Sequence, residues 1–158
     1  MTASKAKIAY NDQVWIGRTT IVDESPVITW TQILGVEGMA FPENIPEDVD
    51  VTHMQSPGRS RETIPGLSPV VDASLEKQLW LDDDGDVLLR ELADDYEAGD
   101  REDVLIEFMI DADTPLRRTY RGHIAGYTPS PQVGDKRMVT VAMKIFERQS
   151  TNERTLPE

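Results

Sequence analysis

Apolar residues fall at alternate positions in two stretches of the chain: Val104, Ile106, Phe108 and Ile110, and again Val139, Val141, Met143 and Ile145. A period of two puts such side chains on one side of an extended backbone. The pattern therefore predicts two strands, each with one buried face. A third alternation places Leu75, Leu79 and Leu81 opposite Glu76, Gln78 and Trp80, with Lys77 a misfit on the apolar side. The segment Arg117 to Tyr127 reads as partner to the strand before it, through a turn around Asp113, Thr114 and Pro115. Trp15 to Val22 reads as an early strand.

One stretch follows another rhythm. Leu88, Leu89, Leu92 and Tyr96 recur at three- and four-residue spacing, and Gly99 stands where a helix ends. The spacing predicts one short amphipathic helix over 86–98, capped by Asp84 or Asp86. Prolines and glycines scattered from Pro26 to Pro131 mark many turns between short segments. The class is mainly β with some helix (α+β). Residues 42–66 hold few apolar positions and read as a long extended loop, while 1–12 and 148–158 are polar and read as terminal arms.

Composition narrows the function. A chain of 158 residues is most simply one domain able to bury its own core. It has no cysteine, which removes thiolate catalysis, cysteine-held metals and disulfide stapling. The first residues show no signal-peptide pattern, and no apolar run is long enough to cross a bilayer, so the expectation is a chain without membrane contact. The formal charge of −13, from 29 acidic and 16 basic residues, repels nucleic acid and anionic lipid.

The candidate chemistry is thin. In DDDGD, Asp82 to Asp86, the glycine aligns with the turn glycine of a calcium loop, with Asp82 and Asp84 at ligand positions and Glu91 at the bidentate one. The opening ligand position is Trp80, however, so a turn capping a helix explains the same residues. The two histidines, His53 and His123, are too few for a histidine-rich zinc site. Thr52, Ser56, Ser60 and Thr63 lie near His53 without a nucleophile-elbow motif. Gly35 to Gly38, GVEG, is a turn-like pair of glycines rather than a phosphate loop. No catalytic, cofactor or metal residue is assigned, and the expectation is no enzyme and no cofactor. Arg59, Arg61, Arg117, Arg118 and Arg121 stand as basic islands in an acidic chain, a pattern that suits pairing with further copies.

The run DVTHMQSPGRSRETIPGL, Asp50 to Leu67, resembles the loop between two core strands of the tail tube proteins of long-tailed phages. The likeness lies in its DVTH opening, SPGR turn and IPGL close. It continues through SLEKQLWLDDDGDVLLRELADDYEAGDREDVLIEFMI and RGHIAGYTPSPQVGDKRMVTVAMKI, so that it spans about Asp50 to Ile145. The chain resembles the major tail tube proteins of siphovirus-like phages and related gene transfer agents. This resemblance implies a β-sandwich or barrel-like domain with one flanking helix. Its copies would form hexameric rings stacked into a hollow tube, through which DNA passes without sequence-specific binding.

The implied partners are the chain itself and the tail tip or initiator, tape measure and tail terminator proteins. The implied location is the virion tail, assembled in the host cytoplasm. On this reading Asp50, Thr52, His53, Arg59, Arg61 and Glu62 belong to a loop docking a neighbouring subunit or ring, with His53 a packing or hydrogen-bonding residue at its base. Asp82, Asp83, Asp84, Arg117, Arg118 and Arg121 become lumen or interface charges. The rival readings are the tube protein of a contractile or secretion-type injection machine, and a calcium-dependent binding module.

Overall fold

The computed structural model describes Ser4 and residues 12–110 and 116–149. The expected arms, apart from Ser4, Asp12, Arg148 and Gln149, and the turn around Asp113 lie outside the described residues. Seven strands form one antiparallel sheet: β1 (Gln13–Val22), β2 (Ser25–Ile33), β3 (Val36–Met39), β6 (Val71–Gln78), β7 (Val104–Ile110), β8 (Leu116–Ser130) and β9 (Met138–Arg148), in the order β2-β1-β7-β8-β9-β6-β3. Two short strands, β4 (Asp48–Asp50) and β5 (Thr63–Pro65), pair with each other apart from that sheet. The helix α1 (Asp84–Glu97) packs on β8 and β2.

The two marginal strands are almost continuous in sequence. Only Leu34 and Gly35 separate the end of β2 from the start of β3. Six steps of about 4.8 Å would hold the margins of a flat sheet about 29 Å apart, whereas three residues reach about 11 Å at most. The sheet therefore curls until its margins meet at Gly35, where the chain turns with φ 76° and its carbonyl accepts from the Gln78 amide at 2.8 Å. One strand passing between layers at a corner is how sandwiches and barrels close. Phe41, two residues beyond β3, confirms the curl, for its ring lies 5.7 Å from that of Phe108 on β7. GVEG is thus a corner followed by a strand rather than a free turn.

The enclosed core takes Val14 and Ile16 from β1, Ile106 and Phe108 from β7, and Val141, Met143 and Ile145 from β9, closed by Leu89 and Leu92 of the helix. β9 alternates as its sequence requires. β7 departs from the expected single buried face, because Glu107 and Met109 are also buried. The Glu107 carboxylate accepts from the Thr119 hydroxyl at 3.3 Å, which makes that burial tolerable.

β6 ends at Gln78, earlier than the Leu79 and Leu81 pattern implies, and Leu81 is exposed. The interior position belongs to the misfit: Lys77 is fully buried and its ammonium bonds the carboxylate of Asp86, itself fully buried. Neither Asp84 nor Asp86 caps α1. Asp83 does, its carboxylate accepting from the Gly85 amide at 3.1 Å. Asp86 instead turns inward, accepting also from the Trp80 amide at 3.0 Å and the Tyr127 hydroxyl at 2.7 Å. Burial, and then this hydrogen bond to a carboxylate, push the Tyr127 hydroxyl well above its ordinary value.

Candidate assembly interface

Two features leave this closed body. The first is the far half of the β1–β2 hairpin. β7 pairs with β1 only over Gln13–Gly17, so the rungs from Arg18↔Thr29 to Val22↔Ser25 form a free two-stranded ribbon. Ile21 and Ile28 share one of its faces, Val22 and Val27 the other, and all four are exposed. Asp23 and Glu24 make the turn with φ of 50° and 64°, the backbone of a hairpin turn that normally takes Asn-Gly. The strand Ser25–Ile33 escapes pattern reading because Pro26 signals a turn. Proline is tolerated there on a marginal strand, where no partner needs its N–H.

The second feature is the stretch expected to be a long loop. It carries structure of its own, with β4 and β5 paired as Asp48↔Pro65, Val49↔Ile64 and Asp50↔Thr63. Between them the turn-rich segment is held by its own polar groups. The Asp50 carboxylate accepts from the Thr52 amide at 2.9 Å, and the Thr52 hydroxyl accepts from the Glu62 amide at 2.8 Å. Hydrogen bonding from Thr52, first from its hydroxyl and then from its amide, holds the Asp50 carboxyl below its ordinary value. The Ser56 hydroxyl donates to Glu62 Oε2 at 2.7 Å and accepts from the His53 amide at 3.0 Å.

His53 is largely exposed, three residues beyond β4, with Nδ1 accepting from the Gln55 amide at 3.1 Å and Nε2 3.5 Å from Glu62. Asp50, Thr52, His53 and Glu62 thus converge as an internal clasp. Arg59 and Arg61 are exposed beyond it, and neither has a hydrogen-bond or ion-pair partner among the described residues. The same stretch of chain exposes apolar side chains: Met54 is 96% exposed and Leu67 88%.

The other charges expected at a lumen or interface divide into two groups. Arg117, Arg118 and Arg121 lie at the start of β8, whereas Asp82, Asp83 and Asp84 sit beside the Asp86–Tyr127 contact. Six residues of strand separate Arg121 from Tyr127, about 20 Å. Arg121 already meets Glu147 at 3.0 Å and Asp103 at 3.3 Å, Arg118 stacks on Phe41, and Arg117 Nε reaches the Met109 sulfur at 3.3 Å. In the calcium reading, Glu91 was the bidentate ligand; its carboxylate meets Arg18 at 3.2 Å, and its would-be loop is already helix from Asp84. Among the described residues no group of three or more metal-ligating side chains converges.

No family model and no curated relative matches the chain. Solved structures do. A subunit in the tail of an empty GTA particle with C6 symmetry superposes with a TM-score of 0.61 at 17% identity, over 93% of this chain and all of the other. The chain has the tail tube fold. A subunit of the native gene transfer agent virion matches with a TM-score of 0.58 at 18% identity, over 89% of this chain and 94% of that one. The SPP1 tail tube protein matches with a TM-score of 0.52 at 11% identity, over 86% and 74%. At such identities the shared property is the curled sheet with its flanking helix. The tail tube fold agrees with the class read from the sequence, and the margins joined at Gly35 are its local cause here.

Proposed function

We propose that this chain is the main tail tube subunit of a long-tailed phage or gene transfer particle. In this role it is a structural protein without catalysis, whose copies close into hexameric rings and stack into a hollow tube. The observation that carries the reading is end-to-end agreement with a subunit of a sixfold GTA tail, 93% of this chain against 100% of that one. The two protrusions support it. An exposed apolar ribbon and an arm with unpaired arginines are liabilities for an isolated domain and assets for one that is covered by copies of itself.

DNA would travel through the bore. Six copies at −13 each bring −78 to a ring, a charge that repels phosphate and suits a non-adhesive wall. Tail tip, tape measure and terminator proteins complete the proposed partners, and the virion the proposed location. A second reading, the tube of a contractile injection machine, draws on a sheath/tube terminator of an extracellular contractile injection system that matches with a TM-score of 0.56 at 15% identity, over 94% of this chain and 98% of that one.

The test is negative-stain electron microscopy of the concentrated protein, with light scattering on the same sample. Rings or hollow tubes about one subunit thick in the wall are expected. A compact oligomer of other symmetry, or a monomer at every concentration even with a tail-tip complex as nucleus, would overturn the proposal.

A further inference from the structure

Three non-glycine residues among those described have a left-handed backbone, and all lie on the two protrusions: Asp23 and Glu24 at the ribbon tip, Arg59 in the arm. Such conformations are costly for residues with a side chain and persist where something else selects them. The tip presents two carboxylates and the arm two guanidinium groups, Arg59 and Arg61. All four are exposed, and none has a partner among the described residues. This separates them from Arg18, Arg121, Lys136 and Lys144, which all pair with carboxylates inside the chain.

The surrounding surfaces match in the same way. The ribbon is apolar on both faces, with Ile21 78% exposed, and the arm offers Met54, Leu67 and the cross-strand pair Val49 and Ile64. Within one copy the ribbon belongs to the β2 margin of the sheet, while the arm is a separate two-stranded unit that follows β3 in the chain. An acidic apolar tip and a basic apolar arm are two different patches, so joining them between copies gives a head-to-tail contact that repeats without limit or closes into a ring.

We infer that the occupant of the arm is the β1–β2 ribbon of a second copy, with Asp23 and Glu24 set against Arg59 and Arg61. Apolar burial holds the contact and the charges fix its register. The inference rests on the tube reading and specifies which parts of the surface meet.

Charge reversal tests it without altering the core. In R59E/R61E two cations become anions and the charge per chain moves from −13 to −17; in D23K/E24K it moves to −9; with all four changes it returns to −13. General repulsion alone would make the −9 chain assemble best. The pairing requires both double variants to need at least about tenfold more protein for half-assembly, by sedimentation and electron microscopy, and the fourfold variant to recover most of that loss.

A further variant, D23N/E24G, supplies residues that favour this hairpin turn and removes both tip charges. Its melting temperature should rise while its assembly weakens, which separates folding from docking. Finally, E24C and R61C chains, in a protein with no other cysteine, are mixed with a short bismaleimide linker. Cross-linked dimers should form from the mixture and not from either chain alone. Assembly of D23K/E24K equal to or better than the parent, no recovery in the fourfold variant, or cross-links confined to like chains would overturn the pairing and leave the tube reading intact. A parent chain that never assembles would overturn the tube reading, and the pairing with it.

Discussion

The ammonium of Lys77 on β6 and the carboxylate of Asp86 in the first turn of α1 meet where both side chains are fully buried. Further hydrogen bonds support the pair, from the Gln78 carbonyl, which accepts from Lys77 at 2.6 Å, and from the Trp80 amide and Tyr127 hydroxyl, which donate to Asp86. Removing one partner strands a charge in the core, at a cost of about 3–5 kcal/mol. Lys77→Met and Asp86→Asn are each expected to lose stability on that scale in urea unfolding, while Lys77→Met with Asp86→Leu recovers part of it. Single variants no less stable than the parent would show that water reaches the pair.

Tyr127 makes the same cluster sensitive to alkali. Its hydroxyl ionises later in the folded than in the unfolded chain, because of burial first and the Asp86 bond second. The stabilisation is whole below about pH 10, where an unfolded tyrosine titrates, and is lost as pH rises further. Thermal unfolding between pH 9 and 11.5 should show this fall, and Tyr127→Phe should reduce its slope. An unchanged slope would place the alkaline weakness elsewhere.

His123 works in the opposite direction. It is 3% exposed, its ring 4.7 Å from Tyr96 of α1 and 5.4 Å from Phe146 of β9, and neither ring nitrogen has a partner among the described residues. Burial lowers its proton affinity, and Arg101 adds to this; Asp103 pulls the other way, and Lys144 lowers it a little further. The unfolded chain therefore takes up a proton first, and stability falls as pH drops below about 6.5. His123→Phe keeps the ring packing and should flatten the unfolding midpoint between pH 7 and 5. A histidine that still titrates normally by NMR would refute this.

Gly122 faces β9 so closely that an added Cβ would lie 2.2 Å from the Lys144 carbonyl oxygen. The register of β8 against β9 slips at this point, between Arg121 and Gly122. Gly122→Ala has to push two backbones apart and should cost about 1–3 kcal/mol. Gly99→Ala, with nothing within 4 Å but a φ of 97°, tests strain alone.

Salt gives a prediction about copies rather than one chain. Screening over about 8–10 Å weakens the repulsion between chains of −13, so tube mass measured by scattering should first rise with added salt and then fall as specific pairs weaken. A fall from the outset would mean that attractive pairs dominate throughout.

The strand β9 was legible because long-range packing there agrees with local alternation, whereas β7 was legible as a strand but not in its second buried face, since Glu107 and Met109 are covered as well. Lys77 was legible as an anomaly and not as a solution, since its partner Asp86 looked like one more carboxylate in a helix-capping run. The hairpin tip was silent for a related reason: Glu24 stands where a glycine would mark the turn, and a free ribbon has no core face to impose a pattern. Arg59 and Arg61 stood out in the sequence, and the fold added that nothing among the described residues answers them. The arm's strands are three residues each, too short for any period to show.

The corner at Gly35 has a mechanical meaning. Because β2 runs directly into β3, a pull on one margin of the sheet is passed through the covalent chain to the other. The outermost strand cannot peel away one hydrogen bond at a time, as a loose border strand would. Tension across the subunit is instead carried as shear along whole ladders, with Leu34 and Gly35 acting as the buckle of a belt drawn around the core.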